Sequence, residues 1–171
     1  MKVAKLIASM ECFANTLPVM LQGTSNEDAA WKPPNGNWSL LEIVCHLIDE
    51  EIEDFHIRLK LTLEQPGVPW PEWDPEGCAV SRKYNDRNLA LMIEEFVKKR
   101  GESVIWLKQL NDVDWNTSYH HPNFGSLSAG NLLASWVAHD QLHVRQIAKR
   151  KFEMIVRDSS PYDIAYAGGW E

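Results

Sequence analysis

The chain has no stretch approaching the roughly 20 apolar residues that span a bilayer, so no membrane-crossing helix is expected. It is poor in cysteine: Cys12, Cys45 and Cys78 are odd in number, widely spaced and without a C-x-x-C pair. That pattern argues against a disulfide framework and against a cysteine zinc site, and it suits a reducing cytoplasm. Positive charge is also short, with 17 Lys and Arg against 24 Asp and Glu and a net charge of -7. Nucleic acids and anionic membranes are therefore excluded as expected partners, because binding them needs clustered cations. No segment alternates convincingly as a strand, and neither an internal repeat nor a low-complexity tract is visible. The N-terminal segment carries Glu11 within a helical apolar period, which fits a first structural helix better than a signal peptide.

What remains is an ordinary globular composition, 44% hydrophobic and 24% charged over 171 residues. This suits one domain, residues 1–171, with a single core. Apolar residues recur at helical spacing over Val3 to Leu21, Ser39 to Leu63, Asn85 to Leu110 and Ser126 to Arg150, which predicts an all-α four-helix bundle. Ser39 followed by Glu42 makes a capping-box pattern at the second helix, and Ser126 or Ser128 caps the fourth. Between the second and third helices lies a loop with Pro66, Pro69, Pro71 and Pro75. It is too proline-rich for helix interior, while Trp70, Trp73 and Tyr84 argue against disorder. Such a loop either caps the bundle end or forms a lid facing substrate. The tail, about 152–171, is also aromatic and suggests a homodimer contact.

The chemistry concentrates in histidine. His139 and His143 are four apart on the fourth helix, so their directions differ by about 40° and they stand one turn apart. Both enter the apolar face defined by Leu132, Trp136 and Ile147. Spacing alone leaves them open between hydrogen-bonded core histidines and metal ligands, whose nitrogens bind at about 2.0–2.1 Å. His46 on the second helix supplies the third ligand a catalytic site takes, although it lies toward the edge of the stripe of Leu40, Val44, Leu47, Ile48 and Phe55. Beside it stand Asp49, Glu50 and Glu53, which read either as a solvated face or as a source of one proton acceptor, Asp49 or Glu50. Glu51 and Arg58 fall within the stripe, where charges need partners. They read as a buried ion pair, with Asp140 as a further member, or leave Arg58 facing the cavity to hold an anionic substrate group. Trp70 and Trp73 are the candidates for stacking on substrate, since core packing accounts for Trp38, Trp106, Trp115 and Trp136. His56 falls on the polar side of its helix, and His120 and His121 read as loop polar groups.

These segments resemble a known family, the DinB/YfiT-like metal-binding bundles. The likeness runs through WSLLEIVCHLIDEE with Phe55 and Arg58, through DPEGCAVSRKYND, Phe96, Arg100 and Trp106-Leu107, to HPNFGSLSAGNLLASWVAHDQLHVRQIA. Its most specific part is HD-x-x-H-x-R-Q, His139 to Gln146, preceded by a single histidine on an earlier helix. Cys78 departs from the bulky residue that relatives often carry there. The resemblance implies that His46, His139 and His143 bind one divalent metal, zinc or nickel. It also implies a small-molecule transferase that uses a thiol of the bacillithiol or mycothiol type at the metal's open position. The alternatives are a hydrolase in which water takes that position, and a non-catalytic metal-binding protein whose site is closed by a fourth ligand.

Overall fold

The computed structural model describes residues 1–170. Helix α1 (Val3–Met20) is followed by a short α2 (Asn26–Ala30). Helix α3 (Leu40–Glu53) is separated from α4 (Phe55–Glu64) by Asp54 alone. After α5 (Pro75–Ser81) come α6 (Leu89–Gln109), a hairpin of β1 (Ser118–His121) and β2 (Gly125–Ser128), and α7 (Ala129–Asp158). The bundle consists of α1, the α3–α4 pair, α6 and α7, as the helical periodicity predicts. Within it α3 packs on α6, α1 on both α6 and α7, and α4 on α7. Among the described residues no helix is long and apolar enough to cross a membrane.

The ends of the helices that carry the histidines are fixed by local chemistry. The Ser39 hydroxyl accepts the Glu42 N–H at 3.0 Å, and the Glu42 carboxylate accepts the Ser39 N–H at 2.8 Å, closing the capping box. Of the two candidate caps for α7 it is Ser128 that serves, accepting the Asn131 N–H at 3.1 Å.

Four features depart from the sequence reading. The second helix is broken at Asp54, whose φ of -115° and ψ of -96° are not helical, although neither Pro nor Gly stands nearby. The segment before α7 is not strandless: Ser118–His121 pairs antiparallel with Gly125–Ser128, and Gly125, at φ +71°, makes the turn that a side chain would strain. The proline-rich loop contains α5, capped by Asp74 with Pro75 in its first turn, where a missing N–H costs nothing. Finally α7 continues to Asp158, so the aromatic tail is shorter than expected.

Two apolar clusters fill the bundle. One holds Phe13, Leu17, Leu41, Val44, Leu47, Phe96 and Ile147, the other Ile7, Met10, Leu59, Leu107, Leu133 and Trp136. Arg100 of α6 touches both, its guanidinium lying 5.2 Å from the Phe96 ring centre and 5.8 Å from that of Trp136. It donates to both oxygens of Asp140 on α7, at 2.6 and 2.8 Å, and to Glu51 on α3 at 2.8 Å. Trp136 Nε1 also donates to Glu51, at 3.0 Å. The buried partner of Glu51 is thus Arg100 and not Arg58, which is paired instead with Asp54 at 2.6 Å. Burial works against the Arg100 charge, but the two carboxylates outweigh it and hold its pKa above the ordinary value.

Candidate metal centre

His46 comes from α3; His139 and His143 come from α7. The fold brings the three together: one nitrogen from each lies within 4.8 Å of the others, and the ring centres are 4.4–5.8 Å apart. Ligands bonded at about 2.0–2.1 Å in a tetrahedron stand about 3.3–3.4 Å from one another, so small side-chain rotations bring these nitrogens onto one ion. Two nitrogens are left available as ligands. Nε2 of His143 and Nδ1 of His46 are buried without a hydrogen-bond partner, a state that costs free energy unless something binds there.

The protonation states suit a ligand set. Burial, then the neighbouring His143 and His139, lowers the His46 pKa to about 3. Burial, then His139, lowers that of His143 to about 4, and burial followed by Arg100 lowers that of His139. All three imidazoles are neutral at pH 7, which metal binding requires. The tautomer of His143 is set by Gln146, whose amide oxygen lies 2.9 Å from Nδ1. An amide oxygen only accepts, so the proton stands on Nδ1 and the Nε2 lone pair is left for the ion. Replacing Gln146 by alanine should weaken metal affinity about 10–100-fold while leaving the stoichiometry near one per chain, as measured by competition with a chelating dye. Unchanged affinity would show that the tautomer is held otherwise.

Glu50, one turn after His46, completes the centre. Its carboxylate lies 3.2 Å from His46 and 3.6 Å from His139, and Oε2 is buried without a hydrogen-bond partner. Burial, then the nearby Asp54, pushes its pKa up to about 9 in the metal-free site, against the opposing pull of Arg58. A divalent cation favours the carboxylate form instead. The cavity over these groups measures about 450 Å³, is walled by Trp38, Asp54, Trp73, Pro75, Glu76 and Gln146 as well, and contains no Lys or Arg.

The other candidates divide. Trp73 lines this cavity, but Arg58 and Trp70 do not. Both belong to a groove beside the hairpin, where the guanidinium sits 5.4 Å from the Trp70 ring centre and Trp70 stacks on Tyr119 at 4.4 Å. Asp49 points away from the cavity: Tyr84 and Arg82 both donate to its carboxylate, the latter at 2.7 Å, tying α3 to the chain after α5. Neither acid is solvated as a polar helix face would be; Asp49 is 8% and Glu50 4% exposed. His56 packs on Trp106 and contacts Ser103 at 2.9 Å, apart from the centre. Sequence reasoning missed Trp38, Asp54, Glu76 and Gln146. Of these only Gln146 carried a signal, as the last residue of the HD-x-x-H-x-R-Q motif.

The lowered histidine pKa values predict an acid-labile fold. Below about pH 6.5 the unfolded chain binds protons on these imidazoles and the folded chain does not, so stability falls as pH drops toward 4. Glu50 has the opposite sign, since its raised pKa adds stability below its unfolded value that is lost as pH rises toward 9. Asp49, Asp54 and Asp140 share the sign of Glu50 and His56 shares that of the three imidazoles, so the imidazole contribution is read by difference: denaturant midpoints of chelated protein should decline more between pH 6.5 and 4.5 than those of a His46→Phe/His143→Phe variant. Equal declines in the two proteins would contradict the neutral-histidine assignment.

Known proteins resemble the chain in sequence and in fold. The model of the DinB superfamily matches residues 11–147. The chain belongs to the DinB superfamily. A relative from Oceanobacillus iheyensis, provisionally named a metal-dependent hydrolase, is 27% identical over 143 residues, covering 79% of this chain and 81% of its own. Among solved structures, YfiT of Bacillus subtilis, described as a probable metal-dependent hydrolase with an unusual four-helix bundle topology, superposes with a TM-score of 0.79. It is 19% identical and covers 90% of this chain and 87% of its own, so this DinB member shares the YfiT fold.

Proposed function

We propose that this DinB-superfamily protein is a divalent-metal-dependent hydrolase of a small molecule. In this reading His46, His139 and His143 hold the ion and Glu50 is the proton acceptor. The observation that carries it is the buried, unpartnered oxygen of Glu50 beside three neutral imidazoles at the floor of one cavity. A zinc or nickel ion held there would supply Lewis acidity toward a carbonyl and toward water. Glu50 takes the proton that the attacking water sheds and returns it to the leaving group. Gln146 keeps His143 in the tautomer that binds, and Trp38 and Trp73 limit solvent at the cavity wall. The names of the two relatives point the same way.

The thiol-transferase reading keeps one supporting observation: Arg145 and Lys149 flank the histidines on the side away from Glu76, where an anionic thiol such as bacillithiol would find cations. The proposed setting is the cytoplasm, consistent with three free cysteines, and a homodimer through the tail would cover the exposed Tyr162 and Tyr166. Light scattering tests the dimer.

The test of function starts from tag-free protein loaded with zinc or nickel, assayed on small esters and amides with and without added thiol. Hydrolysis products without thiol are expected. Thiol adducts formed only when thiol is present would overturn the hydrolase in favour of the transferase. Chelation should abolish turnover and lower the melting temperature yet leave a helical far-ultraviolet spectrum, because the two apolar clusters do not include the ion. Complete unfolding on chelation would make the ion structural.

A further inference from the structure

His139, His143 and Gln146 line two cavities at once, one whose ionisable wall apart from histidine is acidic and one where it is basic. On one side is the cavity described above, with Glu50, Asp54 and Glu76 and the rings of Trp38 and Trp73. On the other side of His139, His143 and Gln146 a second cavity of about 470 Å³ opens, and its charged wall is Arg145 and Lys149, with Leu142 and Trp170 beside them. Arg145 and Lys149 are four residues apart on α7 and so share one face. Other arginines near the core are committed: Arg58, Arg82, Arg100, Arg150 and Arg157 each pair with a carboxylate. Among the described residues Arg145 and Lys149 have no such partner.

A molecule lying across the shared wall meets the Glu76 carboxylate and two tryptophan rings at one end and two cations at the other, since Asp54 is paired with Arg58 and Glu50 with the histidines. Carboxylates and indole faces attract an ammonium; Arg and Lys attract a carboxylate. Each cavity lies within the size range of small-ligand sites, about 300–1,000 Å³. Nε2 of His143, Nδ1 of His46 and Oε2 of Glu50 are buried and unpartnered, and all three residues line the first cavity.

We propose that the substrate is a small zwitterion of dipeptide size, its ammonium among Trp38, Trp73 and Glu76, its carboxylate against Arg145 and Lys149, and its central amide over the histidines. The cleavage step rests on the hydrolase reading; the binding mode does not. Hydrolysis consumes water alone: its oxygen bonds to the acyl carbon, the C–N bond breaks, and a proton carried by Glu50 goes to the departing amine.

The test measures calorimetric binding to zinc-loaded protein of β-alanyl-β-alanine, its N-acetyl form, its C-terminal amide and the doubly blocked form. The zwitterion should bind about tenfold more tightly than either singly blocked form, one factor of ten for each charge matched. In the Arg145→Ala/Lys149→Ala variant the zwitterion should fall to the affinity of its amide, while the amide itself is unaffected. Arg145 is exposed and Lys149 half-buried, and neither belongs to an apolar cluster, so the fold should survive. Equal binding of charged and doubly blocked forms, or no response to the double substitution, overturns the proposal. Amine release is read in parallel and separates the two ideas. Hydrolysis of the blocked forms with charge-independent binding sinks the zwitterion and leaves the hydrolase standing. Charge-dependent binding with no amine release from any probe sinks the hydrolase and leaves the zwitterion site.

Discussion

Replacing Arg100 with leucine should destabilise the fold by about 3–5 kcal/mol, the usual cost of stranding a buried charge. For a chain of this size that corresponds to a fall in melting temperature of roughly 6–20 °C. The reason is what remains behind. Glu51 and Asp140 are 3% and 1% exposed, and without the guanidinium they face each other as carboxylates with no countercharge between two apolar clusters. Adding Asp140→Leu to Arg100→Leu should recover part of the loss, because one of the two stranded acids is then gone. Recovery should stay incomplete while Glu51, which also accepts from Trp136 Nε1, keeps its charge. Thermal melts of the single and double variants decide the matter: a single variant that melts with the parent would show that the triad carries little energy.

The second large effect is on turnover. Glu50→Gln should retain about one metal ion per chain and lose 10²- to 10⁴-fold in kcat, the range typical of removing a general base. His139→Ala combined with His143→Ala should lose the ion together with the activity. Asp49→Asn supplies the contrast, since that carboxylate is occupied by Tyr84 and Arg82. It should keep its kcat and lose about 1.5–3 kcal/mol of stability, as expected for hydrogen bonds involving a charged group. Elemental analysis, kinetics and denaturant melts on the same three preparations separate these outcomes. Loss of activity in Asp49→Asn with full activity in Glu50→Gln would reverse the assignment of the base.

Much of the bundle can be read from spacing alone, because its helices bury broad apolar stripes and announce their starts, as Ser39 with Glu42 does. The His139 and His143 pair is legible for the same reason: one helix carries both. His46 is harder. A helical wheel assumes a wet side, and α3 has almost none, since every residue from Leu40 to Glu51 is buried under α6, α7, α2 and α5. On such a helix Asp49 and Glu50 look like a solvated face and are not. The partner of Glu51 was invisible because Arg100 lies 49 residues away on another helix, whereas Arg58 shared its stripe. The break at Asp54 has no proline or glycine to mark it, and I-to-V-type alternation is missing from the short hairpin around Gly125. In each case tertiary partners, and not local preference, decide the outcome.

The Arg100 bridge also bears on how an ion would enter. Glu51 follows Glu50 directly on α3, and Asp140 follows His139 directly on α7, so the guanidinium fastens the two ligand-bearing helices at the level of the histidines. The spacing of the donors is therefore inherited from a salt bridge that exists before any ion arrives. Binding then needs side-chain rotation rather than helix docking, and the free energy released on capture goes into affinity instead of into assembling the site. The centre is preorganised, and loosening Arg100 should slow and weaken metal uptake even though that residue touches none of the ligands.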